Sequence, residues 1–235
     1  MADLVAEAVA AGVTRIVTIG TGRESSERAL VHAEAHPEVF AAVGVHPHDA
    51  DAFSAADLDW MRALSDHPKV VALGECGLDY HYDRADRRAQ RAAFVAQVGL
   101  AREVGLPVVV HTRDAPEDTF TVLRDEADGV AVVLHCFSLP DHVGAVIAGG
   151  WMTSFAGPLT FPRNQALREA AAALPEDRLL VETDAPYLAP VPPRGRPNRP
   201  AYVAHTLAAL ADARGADVDE IDRLTTANAG RVLGV

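Results

Sequence analysis

Four side chains able to bind a divalent cation stand at the ends of apolar runs in this chain. Val70-Val71-Ala72-Leu73-Gly74 leads to Glu75, Pro107-Val108-Val109-Val110 to His111, Val130-Ala131-Val132-Val133-Leu134 to His135, and Leu179-Leu180-Val181-Glu182-Thr183 to Asp184. Carboxylate oxygen and neutral imidazole are the usual ligands of divalent metals, and surface turns give no reason to repeat them at matching places. Pro186 ends the last of these runs, since it cannot donate to a ladder and biases the residue before it away from helix. The pattern therefore points to a metal centre assembled from several strand ends. In parallel α/β architectures that is where sites are built.

Two further histidines, His46 and His48, follow the apolar run at residues 40–45. An i, i+2 pair can face one way in an extended segment, but Pro47 separates them in what reads as loop, so pocket lining is the reading preferred over direct ligation. Glycines on both sides of Glu75 let the backbone bend so that its carboxylate can reach across a cleft. Arg113, two residues beyond His111, is placed to hold a phosphate or carboxylate with its planar fork. Gly20-Thr21-Gly22 lacks the third glycine of a dinucleotide loop, because Ser25 stands there.

The elements that must carry these residues follow from the periodicity. Strands are predicted at residues 14–19, 40–45, 70–74, 107–111, 130–135, 151–155 and 179–183, and helices alternate with them. The chain opens on a helix, residues 2–11, with no strand ahead of it. Ser54 is a plausible cap for a helix over residues 54–65, with Asp57 in its first turn. Strands alternating with helices mean a parallel sheet, and the closed form is the (β/α)8 barrel, here one strand short. A single domain spanning residues 1–235 is expected.

Composition sets limits. The 235 residues, 49% of them hydrophobic, can bury one large core. No run is long and apolar enough to span a bilayer, and the acidic start Met1-Ala2-Asp3-Leu4-Val5-Ala6-Glu7 is unlike the basic flank of a signal peptide, so a cytoplasmic protein is expected. The net charge of −12 argues against a protein that coats nucleic acid, although a metal cluster and a few arginines can reverse the field within a cleft. Cys76 and Cys136 form no Cys-x-x-Cys pair and read as small buried hydrophobes. Lys69 is the only lysine, and Arg84, Arg87, Arg88 and Arg91 read as the solvated face of a long helix, with no aromatics interleaved for bases to stack on.

Taken together the motifs Gly44-Val45-His46-Pro47-His48, Gly74-Glu75-Cys76-Gly77-Leu78-Asp79-Tyr80, Pro107-Val108-Val109-Val110-His111-Thr112-Arg113-Asp114-Ala115, His135-Cys136-Phe137-Ser138 and Glu182-Thr183-Asp184-Ala185-Pro186-Tyr187-Leu188 resemble those of the TatD-like metal-dependent hydrolases, the TatD family deoxyribonucleases within the amidohydrolase-type barrels. Pro192-Pro193-Arg194-Gly195-Arg196-Pro197-Asn198-Arg199-Pro200 resembles that family's substrate-side loop. The resemblance implies a site for up to two divalent ions, Mg, Mn or Zn, with Glu75 bridging, His111 and His135 completing one ion, and Asp184 binding the other while serving as general base. It also implies hydrolysis of DNA or RNA phosphodiesters, often from a 3′ end, with His46, Arg113, Arg194 and Arg196 touching phosphate.

One departure stands out: the family's opening Asp-x-His-x-His strand has no counterpart, as Met1 falls where its first helix should be and no His precedes His32. The second ion is therefore expected to bind weakly, and either a truncation or a misplaced start would account for the gap. Two other functions stay open at this point. One is an ester or amide hydrolase of the aminoacyl-tRNA deacylase type, and the other is a non-catalytic barrel remnant with a degraded metal site.

Overall fold

The computed structural model describes residues 1–235, which form two compact units. One comprises Arg15–Leu134 with Leu233–Val235, the other Met1–Thr14 with His135–Val232.

The first unit holds five strands, β1 (Ile16–Ile19), β2 (Val39–Val43), β3 (Val70–Asp79), β4 (Val108–Arg113) and β5 (Val132–Leu134), each parallel to the next. Between them run α2 (Arg23–Ala35), α3 (Ala55–Ser65), α4 (Arg87–Val104) and α5 (Pro116–Glu126). The apolar runs became strands because both of their faces are covered: β3 is buried through nearly all of its length and β4 through its first half. Ala42, Ala72 and Val109 form one patch of core, with Val17, Ile19 and Leu233 against it.

Strand β3 runs past its expected end. The sequence predicts a strand over residues 70–74, but pairing with β4 resumes beyond Glu75, from Cys76 opposite Val110 to Asp79 opposite Arg113. Between Leu73 and Cys76 the register shifts, so Glu75 projects from an irregularity inside the strand instead of from its end. Gly74 (φ 132°) and Gly77 (φ 140°) occupy the region closed to other residues, and a Cβ on either would run into the backbone carbonyl of Val109 or His111. The bend that frees the Glu75 carboxylate thus depends on both.

Helix α4 seals this side of the sheet with Ala93, Phe94, Val98, Leu100 and Ala101, while Arg87, Arg88 and Arg91 face solvent as expected. Two fully buried glutamines on its inner face do a separate job. Gln97 accepts from the Val45 N–H and donates to the Val45 carbonyl, and Gln90 does the same for Asp79. Each satisfies the backbone where a strand end would leave it orphaned. Asp86 caps α4 through the N–H groups of Arg88 and Ala89, and at α3 the Ser54 N–H and hydroxyl both donate to Asp57, the cap read from sequence.

The second unit contains α1 (Ala2–Ala10), α6 (Val143–Gly149), β6 (Met152–Phe155), α7 (Gln165–Ala173), β7 (Leu179–Val181) and α8 (Val203–Arg214), with most of α9 (Val218–Leu233). Strands β6 and β7 are parallel, Thr153 opposite Leu179. Phe137 and Phe155 meet edge to face, ring centroids 5.7 Å apart, and Leu159, Leu174, Leu179 and Leu210 are fully buried in the same unit. Helix α1 packs on the turn at Pro200–Tyr202, and Arg199 pairs with its Glu7. No helix is long and apolar enough to cross a membrane.

Candidate metal centre

In the first unit the loop after β2, the irregularity within β3 and the second half of β4 bring His46, Glu75 and His111 together, their ligand atoms all within 4.8 Å of one another. His111 Nδ1 lies 2.8 Å from Glu75 Oε1, and His111 Nε2 lies 3.0 Å from Asp79 Oδ2. Asp79 is fully buried and also accepts from His48 Nε2 at 3.0 Å and from the N–H groups of His81 and Tyr82. Burial alone would push the Asp79 carboxyl up, but the hydrogen bonds from His111, the Tyr82 N–H and His48 outweigh it and hold the group well below the usual carboxylate range. An ionised Asp79 takes the Nε2–H of His111. The Nδ1 lone pair then faces a carboxylate oxygen at hydrogen-bond distance, an arrangement that calls for a shared proton or a cation. These residues fit a divalent metal on the strength of that donor set.

His46 stands in the same cluster with a different role open to it. Its Nδ1 accepts the His48 N–H at 3.1 Å, which puts the proton of a neutral ring on Nε2, 3.5 Å from Glu75 Oε1. With that proton in place the ring can donate to an anion, and without it the position of His46 in the cluster suits a metal ligand. His48, the other member of the pair, is drawn to Asp79; burial, then the neighbouring His46 imidazole, holds its pKa below the ordinary histidine value despite that carboxylate.

The second unit carries His135 and Asp184. His135 Nδ1 lies 2.8 Å from Glu182 Oε1, while Glu182 Oε2 accepts the Cys136 N–H at 3.2 Å. With its Nδ1 proton given to Glu182, the ring keeps Nε2 as its basic nitrogen, which suits metal ligation. Asp184 sits at φ 57°, just beyond β7. Buried Asn198 clamps its loop by donating to the carbonyls of Thr183 and Tyr187, both at 2.6 Å.

The predicted phosphate contacts divide between the units. Arg113 is exposed at the end of β4 with its guanidinium 4.7 Å from the Tyr82 ring centroid. Arg194, in the other unit, lies 4.1 Å from the Phe161 centroid, and Arg196 is exposed in the same proline-rich loop. Cys76 is buried, and burial pushes its thiol up, as a small hydrophobe should behave; Cys136 is only half-buried, at φ 44°. Asp79, Glu182 and Asn198 were not singled out by the sequence reading. Asp79 and Glu182 could have been found as the second acid near each metal-competent residue.

The family model for TatD-related DNases matches residues 1–234. The chain belongs to the TatD family. It is 40% identical to YabD of Bacillus subtilis, described as a metal-dependent hydrolase, across 99% of this chain and 92% of that one. It is 39% identical to a 3′-5′ ssDNA/RNA exonuclease TatD of Enterobacter lignolyticus, with the same coverage. Among solved structures, YJJV, a TatD homologue from Escherichia coli K12, superposes with a TM-score of 0.93 at 30% identity, covering 100% of this chain and 92% of its own. The fold is therefore the TatD-type (β/α) barrel, with seven strands and α1 ahead of the first, and the protein is a metal-dependent hydrolase.

Proposed function

We propose that this TatD-family chain is a phosphodiesterase that removes nucleotides from the ends of DNA or RNA in the cytoplasm, working as one barrel domain. The observation that carries the reading is His111, held between Glu75 and Asp79 at 2.8 and 3.0 Å. Glu75, His111, His135 and Asp184 would hold up to two divalent ions, Mg, Mn or Zn. Bound ions of this kind lower the pKa of water towards about 7 and offset charge on the attacking and leaving oxygens.

The chain's own residues supply the rest. Asp184 takes a proton from the attacking water as general base, and Glu75 is the other catalytic carboxylate, one that would hold the ions. His46 donates its Nε2–H to a phosphate oxygen, and the exposed guanidinium groups of Arg113, Arg194 and Arg196 pair with the others. Those cations are needed because the whole chain carries −12 and would repel a polyanion at long range.

Metal content measured on the purified chain, together with cleavage of a 5′-labelled single-stranded oligonucleotide with and without Mn²⁺, tests the reading. Ladder-like shortening that depends on metal supports it. Cleavage of carboxylic esters with phosphodiesters untouched would move the assignment to an ester or amide hydrolase. Neither bound metal nor turnover would leave a non-catalytic barrel.

A further inference from the structure

Beyond the metal cluster, the loop after β3 lifts one aromatic ring into solvent. Tyr82 is 52% exposed, yet its backbone is fixed, because its N–H and that of His81 both donate to Asp79 Oδ1 at 2.8 and 3.0 Å. A row of rings leads from the cluster to it. His111 and His46 centroids lie 4.7 Å apart, His46 and His48 4.3 Å, and His48 and Tyr82 5.5 Å, the last pair edge to face. Two exposed guanidinium groups stand over the Tyr82 ring, Arg113 at 4.7 Å and Arg84 at 5.4 Å. His81 stands perpendicular to it, ring centroids 5.0 Å apart, and is itself paired with Asp114.

A single exposed tyrosine is ordinary on a protein surface. An exposed ring anchored through its backbone to the carboxylate that holds His111, and flanked by two arginines, is a shelf for something flat and anionic. We propose that Tyr82 is the platform on which the terminal nucleobase of a single-stranded substrate stacks, the base taking the place over the ring that the guanidinium groups hold here and Arg113 and Arg84 turning to the adjoining phosphates. This rests on the phosphodiesterase reading and adds to it the terminal base as a determinant of binding. Base–aromatic stacking is tolerant of sequence, because every base has a π-face. Recognition here would accordingly register the presence of a base and not its identity.

The test uses the full chain and two single-stranded oligonucleotides differing only in whether the 3′-terminal nucleotide carries a base or is abasic. Their KM and kcat are measured with Mn²⁺, and their binding by fluorescence anisotropy in EDTA, for the parent and for Tyr82→Leu, Tyr82→Phe and Tyr82→Trp. The expected result is a preference for the base-bearing end of about 10-fold, expressed in KM and in binding and not in kcat. That ratio should fall close to unity in Tyr82→Leu and be kept in Tyr82→Phe and Tyr82→Trp. If the parent cleaves both oligonucleotides and Tyr82→Leu shows the parent's ratio, the platform is refuted while the phosphodiesterase reading stands. If the metal-loaded parent cleaves neither, that reading fails first. Base-bearing ends that bind no more tightly than abasic ends also overturn the proposal.

Discussion

His111 Nε2 lies 3.0 Å from Asp79 Oδ2, and Asp79 has no solvent exposure at all. The imidazole that faces Glu75 is therefore oriented from behind by a buried, ionised carboxylate. The same carboxylate also holds His48 and the backbone of residues 81 and 82. A group so placed sets the tautomer of His111 and raises the basicity of the nitrogen turned towards Glu75.

Asp79→Asn removes the charge while keeping an oxygen for the two backbone N–H groups. Metal affinity at the His111 site should fall by about 10- to 100-fold, the usual penalty for losing such a support. Titration of the metal-free variant with Mn²⁺ by calorimetry checks this, with circular dichroism to confirm that the fold persists. Unchanged affinity would mean that Asp79 serves the loop alone.

The glycines around Glu75 give a contrast in stability. Gly77→Ala places a Cβ against the His111 carbonyl oxygen at φ 140°, where both strain and overlap oppose it, and should cost more than about 2 kcal/mol. Gly129→Ala, at φ 75° with nothing within 4 Å of the new Cβ, should cost only about 1 kcal/mol. Urea unfolding of the two variants side by side decides the matter; equal losses would show that backbone strain alone, without the close approach to β4, governs Gly77.

Asp57 links stability to pH. Burial works to raise its pKa, but hydrogen bonds from Trp60 Nε1–H and from the Ser54 N–H and hydroxyl outweigh burial and lower it. A carboxyl whose folded pKa is depressed stabilises the native state above its unfolded pKa, near 3.8, and loses that contribution as pH falls through the folded value. Asp57→Ala should therefore cost about 1 kcal/mol at pH 7 and distinctly less near pH 3. Unfolding midpoints at both pH values measure the gap, and a gap of the same size at both would refute the linkage.

Much of this was visible in the residues. The strands announced themselves as apolar runs because parallel strands covered on both faces have little room for polar side chains. Glu75, His111, His135 and Asp184 stood out because polar groups ending such runs have few structural reasons to be there. What escaped notice acts through distant backbone. Gln97 serves Val45 across 52 positions, and Asn228 serves Glu176 across 52 as well. Nothing near a buried glutamine in an arginine-rich helix tells which strand end it will meet. The true length of β3 was hidden for a different reason: glycine marks a strand's end and a bulge within it with the same letter.

Asn198 shows the same limit and supports the sharpest prediction. It lies in a proline- and arginine-rich segment, yet it is 4% exposed, and its Nδ2 donates to Thr183 and Tyr187 on either side of Asp184. Asn198→Ala leaves two carbonyls without their donor and should cost about 1–3 kcal/mol. Asn198→Asp should be worse at neutral pH, since a carboxylate would face two carbonyl oxygens and repel both. If the clamp positions Asp184, kcat should fall in both variants while KM changes little, and lowering the pH towards protonation of the new carboxyl should restore part of the loss in Asn198→Asp but not in Asn198→Ala. Thermal unfolding and kinetics across pH 5–8 separate the outcomes, and an Asn198→Asp chain as stable and active as the parent would show that these two hydrogen bonds do not hold the loop.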